Sequence, residues 1–176
     1  MLQQESLPVF LSVTMPHLPE QEAFLAAIAS AMAQHGMTPL PLDRNEWSFE
    51  APLIPIRQLM IACYGTVVIA MARGVVTEGV DYVNGEREQR YFQRYIATPW
   101  TQIETAMAFQ LGHPILVLKE DIIHPEGVLD PANSGLFVRT FSPSKTHTKD
   151  IESIVKILPA FRNRVEAFAT RMSAKS

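Results

Sequence analysis

The run Val67-Val68-Ile69-Ala70-Met71 is apolar at every position and follows directly on Gly65-Thr66. A strand with one wet face alternates apolar and polar residues, so a strand apolar on both faces is covered on both faces. This is the demand of a central parallel strand, and parallel strands need crossover connections of helical length. A second apolar run, Pro114-Ile115-Leu116-Val117-Leu118, has the same character, and a third, Pro8-Val9-Phe10-Leu11-Ser12-Val13, opens the chain.

The segments between these runs read as helices. Residues 20–35 carry Phe24, Ala27, Ile28, Ala31 and Met32 at helical spacing, and Gly36 stops them. Residues 37–42 read as a further strand, placed at an edge because Pro39 and Pro41 cannot donate to a ladder. Residues 56–62 form a short helix with Ile56, Leu59, Met60 and Cys63 inward. Residues 99–111 form another, with Thr98 as N-cap and Pro99 in the first helical position. Residues 136–141 read as a fifth strand. Residues 149–172 are helical, with Ile151, Ile154, Val155, Leu158, Phe161, Val165, Phe168 and Met172 as an apolar stripe. Pro159 either kinks this segment or opens a second helix. The long connection 73–97 holds four aromatics, and a helix is expected within it at 87–95.

This alternation predicts an α/β chain with a flavodoxin-like open parallel sheet of about five strands, helices on both faces, and strand order 2-1-3-4-5. The 176 residues, 47% of them hydrophobic, suffice for one domain with a sizeable core, its C-terminal segment helical. A net charge of -3, with scattered basic residues, makes no case for nucleic acid or an anionic membrane as partner. No apolar run approaches the roughly 18 residues of a membrane helix. No signal sequence is visible in residues 1–7, and the one cysteine, Cys63, permits no disulfide within the chain. A cytoplasmic location is the expectation. The five histidines show no metal-ligand spacing with Cys63 or with carboxylates. Phosphate-binding glycine loops and a serine-hydrolase elbow are absent.

In the expected strand order, ligands bind beyond the carboxyl ends of strands one and three. Glu104 reaches that edge from the second turn of the 99–111 helix and shares a helix side with Trp100, four residues earlier. A carboxylate beside an indole suits a cationic ribosyl centre, as in glycoside cleavage. A solvated helix glutamate is the plain alternative. Ile103, Ala106 and Met107 are expected to give Glu104 apolar surroundings. Ser12 and Thr14, at the end of the first strand, offer hydroxyls to a phosphate or ribose, or cap an ordinary turn. Arg73, closing the third strand, would pair with a phosphate or with Glu104, or is a surface arginine.

The strand ending in Ser12 and the run Pro99-Trp100-x-x-x-Glu104-x-Ala106 resemble the Toll/interleukin-receptor (TIR) domain pattern. The run Glu104-x-Ala106-x-Ala108-x-x-x-Gly112-x-Pro114-Ile115 equally resembles nucleoside 2-deoxyribosyltransferases. The resemblance spans about residues 8–118 and is most specific at 100–115. Connection 73–97 is longer than in either pattern, and the transferase aspartate has no clear match. The resemblance implies cleavage or transfer at the N-glycosidic bond of NAD, a nucleoside or a nucleotide, with that molecule as substrate and no cofactor required. It implies Glu104 as nucleophile or stabilising charge, Trp100 shaping the pocket, and Ser12, Thr14 and Arg73 contacting substrate. Homo-oligomerisation would complete the site and connection 73–97 would act as a lid. A non-catalytic nucleotide-sensing or TIR-type interaction module is the other reading of the same pattern.

Overall fold

The computed structural model describes residues 6–42, 53–143 and 147–174. Five strands form one parallel sheet: β1 (Leu7–Val13), β2 (Met37–Pro41), β3 (Thr66–Ala70), β6 (Ile115–Glu120) and β7 (Val138–Phe141). Their order is β2-β1-β3-β6-β7, the flavodoxin-like 2-1-3-4-5 arrangement. Between β3 and β6 the chain makes a separate antiparallel hairpin, β4 (Gly74–Asp81) and β5 (Gln89–Ile96).

Alternation along the central strands divides the core into two layers. Val9 and Leu11, Val67 and Ile69, and Leu116 and Leu118 face α1 (Pro19–Gln34), α5 (His147–Val155) and α6 (Leu158–Ser173). There they meet Phe24, Ile28, Met32, Ile154, Leu158 and Val165, all buried. The Phe24 and Phe141 rings stack at 3.8 Å with 7° between their planes. The opposite face carries Phe10, Val68, Ala70 and Val117 under α2 (Leu53–Ile61) and α3 (Pro99–Gln110). Strands buried on both faces thus explain the uninterrupted apolar runs. β2 lies at the edge, where Pro39 and Pro41 remove donors at little cost.

Pro159 opens a second helix: it stands in the first turn of α6, and α5 ends before it. Between β6 and β7 the crossover has only a 3-10 turn, Gly127–Leu129, and the single-turn helix α4 (Pro131–Ser134). No helix among the described residues is long and apolar enough to cross a membrane.

The helix expected at 87–95 is instead strand β5. The charged residues of segment 87–95, Arg87, Glu88, Arg90 and Arg94, come without an apolar helical stripe. Its aromatics pair across to β4: Val75 stands opposite Tyr95, Glu78 opposite Phe92 and Gly79 opposite Tyr91. Arg94 donates to both oxygens of Asp81, at 3.2 and 2.7 Å, and its guanidinium lies 3.4 Å over the Tyr91 ring. Gly79 faces that ring so closely that a Cβ would collide with it. A non-local partner strand decided this conformation, which local charge spacing could not reveal.

Candidate functional site

The carboxyl ends of β1, β3 and β6 and the first turns of α3 meet at the point where strand order reverses, the usual ligand crevice of an open parallel sheet. The start of α3 is built as its sequence dictates. Thr98 has extended backbone and its hydroxyl oxygen accepts the Trp100 N–H at 3.0 Å, and Pro99 occupies the first turn. The buried side of the helix is Thr101, Glu104, Thr105 and Ala108.

Glu104 is 3% exposed. The Ser12 hydroxyl, itself 2% exposed, donates to Glu104 Oε2 at 2.5 Å. This joins residues 92 positions apart. A small cavity of about 20 Å³ beside the carboxylate is lined by Phe10, Leu11, Val13, Leu42 and Glu104, enough for about one water. The surroundings of Glu104 are therefore not those its helix neighbours suggested. Ile103 and Ala106 are exposed, and the apolar wall comes from strand β1. The reason is angular: at 100° per residue, positions 103 and 106 turn away from the side that carries 101, 104 and 108.

The other candidates separate. Thr14 is 1% exposed and its N–H donates to the Ile69 carbonyl, but its hydroxyl has no hydrogen-bond partner among the described residues. Trp100 is half-buried and packs with Phe10, Ile56 and Met60 between α3 and α2; it does not line the cavity beside Glu104. Arg73 is exposed at the base of the hairpin, where its N–H donates to the Ile96 carbonyl, and it forms no ion pair with Glu104. Its position ahead of β4 points the chain out into the hairpin instead of across the crevice. The structure thus brings Ser12 and Glu104 together, sets Thr14 on the same sheet face, and leaves Arg73 outside.

Three further buried polar residues stand at this edge. Glu120 accepts the Ala72 N–H at 2.8 Å and a Gln21 Nε2 hydrogen at 3.1 Å. Gln21 Oε1 in turn accepts the His17 N–H at 3.1 Å, so the β1–α1 turn is tied to the end of β6. Lys119, on the α3 face, donates to the carbonyls of Glu120 at 3.2 Å and Ile123 at 2.6 Å. Burial pushes its ammonium below the usual lysine range, partly offset by Asp121 and Glu120. The signal for these residues was present: Gln21 interrupts the inward stripe of α1 three residues before Phe24, and Lys119-Glu120 continue an apolar central strand.

A larger cavity of about 370 Å³ lies on the other side of the sheet, between α1 and the edge strand β2, with Leu11, Val13, Leu25, Pro39 and Pro41 in its walls. Its lining is almost wholly apolar, with Glu22 as its charged residue, and includes none of Ser12, Thr14, Arg73, Trp100 and Glu104. It is the larger of the two cavities, and Glu104 borders the smaller one. Among the described residues no group of three histidine, cysteine or acidic side chains could hold a metal ion.

No protein-family profile and no curated protein sequence matches the chain. Solved structures do match. A CMP N-glycosidase of Clostridium botulinum is 14% identical with a TM-score of 0.50, over 84% of this chain and 96% of that one. The metal-soaked flavodiiron core of Flv1 from Synechocystis is 11% identical with a TM-score of 0.52, over 94% of this chain and 37% of that one. At these identities the similarity is one of fold, and the fold is the flavodoxin-like parallel sheet.

Proposed function

We propose that this chain cleaves or transfers at the N-glycosidic bond of a nucleoside, nucleotide or NAD, with Glu104 facing the ribosyl carbon. The observation that carries the reading is the buried contact between Ser12 Oγ and Glu104 Oε2 at the switch point of the sheet. A carboxylate this dry is an expensive feature for a solvated helix, and it lies where open α/β sheets receive ligands. The hydrogen bond from Ser12 holds the carboxyl group in place. An ionised carboxylate is what an oxocarbenium-like ribosyl centre requires, either as a charge or as a nucleophile that holds the sugar until water or a second base arrives. The fold of a CMP N-glycosidase supports the same chemistry on this scaffold.

In this reading Ser12 orients Glu104 and yields to the substrate, Thr14 meets a polar group of the ligand, and Trp100 braces the α3 side of the pocket. Arg73 and the hairpin close over the bound molecule, and association of copies completes the site. The test is release of free base or nicotinamide, followed by chromatography, from CMP, other nucleotides, nucleosides and NAD, at protein concentrations that permit self-association. Glu104→Gln should abolish the release. Equal inactivity of wild type and variant on every substrate class would sink the enzymatic reading.

The second reading is a nucleotide-sensing or TIR-type interaction module without turnover. It is favoured by the space beside Glu104, about 20 Å³, which is far smaller than a nucleoside. Nucleotide binding without base release would select it.

A further inference from the structure

Two buried polar groups on the α3 face of the sheet each keep a hydrogen with no acceptor among the described residues. The Thr14 hydroxyl is the buried side-chain oxygen with no hydrogen-bond partner among the described residues. Buried polar groups are almost always satisfied, and an exception asks for an explanation. Lys119 is 5% exposed and forms no ion pair among the described residues. Two backbone carbonyls take two of its three hydrogens.

Sheet register places these groups at one level. Val13 pairs with Ile69 and Ile69 with Leu118, so the next row across the sheet is Thr14, Ala70 and Lys119. The Thr14 N–H bonded to the Ile69 carbonyl continues the ladder to this row. Adjacent parallel strands lie about 4.8 Å apart, so the outer two backbones are about 10 Å apart. The residue between them is Ala70, and the next on that face is Ala72, so no large side chain of the sheet itself stands between Thr14 and Lys119. Alternation sets Thr14 on the face of Ser12, one strand period beyond the Glu104 contact, about 6–7 Å along β1. The N-terminus of the 12-residue helix α3 opens on the same edge and adds its positive end.

We propose that Thr14 and Lys119 form an anion subsite, which takes a phosphate or carboxylate of a ligand whose ribosyl carbon faces Glu104. The subsite rests on the ribosyl reading of Glu104 for its distance from the reacting carbon, but its own groups are independent of turnover. An anionic oxygen accepts the Thr14 hydroxyl hydrogen and the remaining Lys119 hydrogen, and so gives Thr14 its partner and Lys119 a third. It makes the ligand class a charged nucleotide in preference to a neutral nucleoside.

Calorimetric titration of the full chain separates the possibilities. The probes are a nucleoside 5′-monophosphate, the matching nucleoside, the matching nucleoside with a 5′-carboxylate, and inorganic phosphate. The monophosphate or the carboxylate should bind at least about tenfold more tightly than the nucleoside, the size of one charge-assisted hydrogen bond. Which of the two binds tighter names the anion. Thr14→Val keeps the side-chain shape and should cost the charged ligand about tenfold more affinity than it costs the nucleoside. Lys119→Met should remove the preference; should that variant not fold, Thr14→Val carries the test. Equal binding of charged and neutral ligands, equal loss for both in Thr14→Val, or no binding by any anionic probe overturns the subsite. Retained preference for the charged ligand without base release sinks the catalytic reading and keeps the subsite. Base release that ignores ligand charge and survives Thr14→Val unchanged does the reverse.

Discussion

Replacing Glu120 by alanine should cost this protein a large share of its stability, although Glu120 belongs to no reacting group. The side chain is 4% exposed and accepts two buried donors, the Ala72 N–H at 2.8 Å and Gln21 Nε2 at 3.1 Å. Alanine leaves both without that acceptor. A stranded buried donor costs roughly 1–3 kcal/mol, so the two together cost roughly 2–6 kcal/mol. Gln21 Nε2 also reaches the Ala72 carbonyl at 3.4 Å and keeps one partner, which draws the expectation to about 2–4 kcal/mol. Domains of this size are stable by only about 5–15 kcal/mol. Glu120→Gln preserves shape and one acceptor oxygen but turns its amide hydrogens toward a donor, so about half the loss is expected. Equilibrium urea denaturation measures both, and the midpoint should fall with the slope unchanged. Gln21→Leu should cost a similar amount, and the double variant less than the sum, because the two residues share one network. A Glu120→Ala midpoint indistinguishable from wild type would refute the claim that this network holds the β1–α1 turn against β6.

His113 is buried, its Nδ1 2.9 Å from the Thr66 hydroxyl, and burial lowers its pKa below 6.5. The unfolded chain then takes up a proton before the folded one, so the contribution is complete above pH 6.5 and declines as pH falls below it toward the folded pKa. Urea midpoints of wild type and His113→Gln at pH 7.5 and 5.5 check the sign; a difference that does not change with pH contradicts it. Gly65→Ala should destabilise by about 1–3 kcal/mol, since its Cβ would lie 2.7 Å from Val165 Cγ2 of α6. Adding Val165→Ala should recover part of the clash energy, and thermal melts of the single and double variants decide it. Burial pushes the Cys63 thiol up to about 11, so Cys63 should stay unreactive toward a thiol reagent at neutral pH until the protein is denatured. Rapid labelling of the native chain would show that the α2 end opens.

Local sequence determined most of the architecture. Apolar runs at 67–71 and 114–118 identified central strands because both faces of such strands are covered. The Thr98-Pro99 start, the Gly36 stop and the edge prolines of β2 are features of single segments, governed by backbone donors and dihedral freedom. The hairpin escaped this kind of reading because each of its strands is stabilised by the other, and neither by its own neighbours. The site was half legible. Glu104 could be assigned to the crevice from strand order, but its dryness comes from β1, 92 residues away, through Ser12. Trp100 and Glu104 share a helix side in sequence, yet tertiary packing sends one toward α2 and the other toward β1. Arg73 reads as a cation near a strand end; the hairpin carries it outward, so it would reach a ligand only by closure of the hairpin. Lys119 and Glu120 follow the apolar run at 114–118 and read alike as the start of a polar loop; the strand runs on through them and sends them to opposite faces, Lys119 onto the carbonyls of Glu120 and Ile123 and Glu120 into the network with Ala72 and Gln21. Periodicity is a property of a segment and can be read from it. What a buried polar group meets is set by which strands lie beside each other, and only the folded chain decides that.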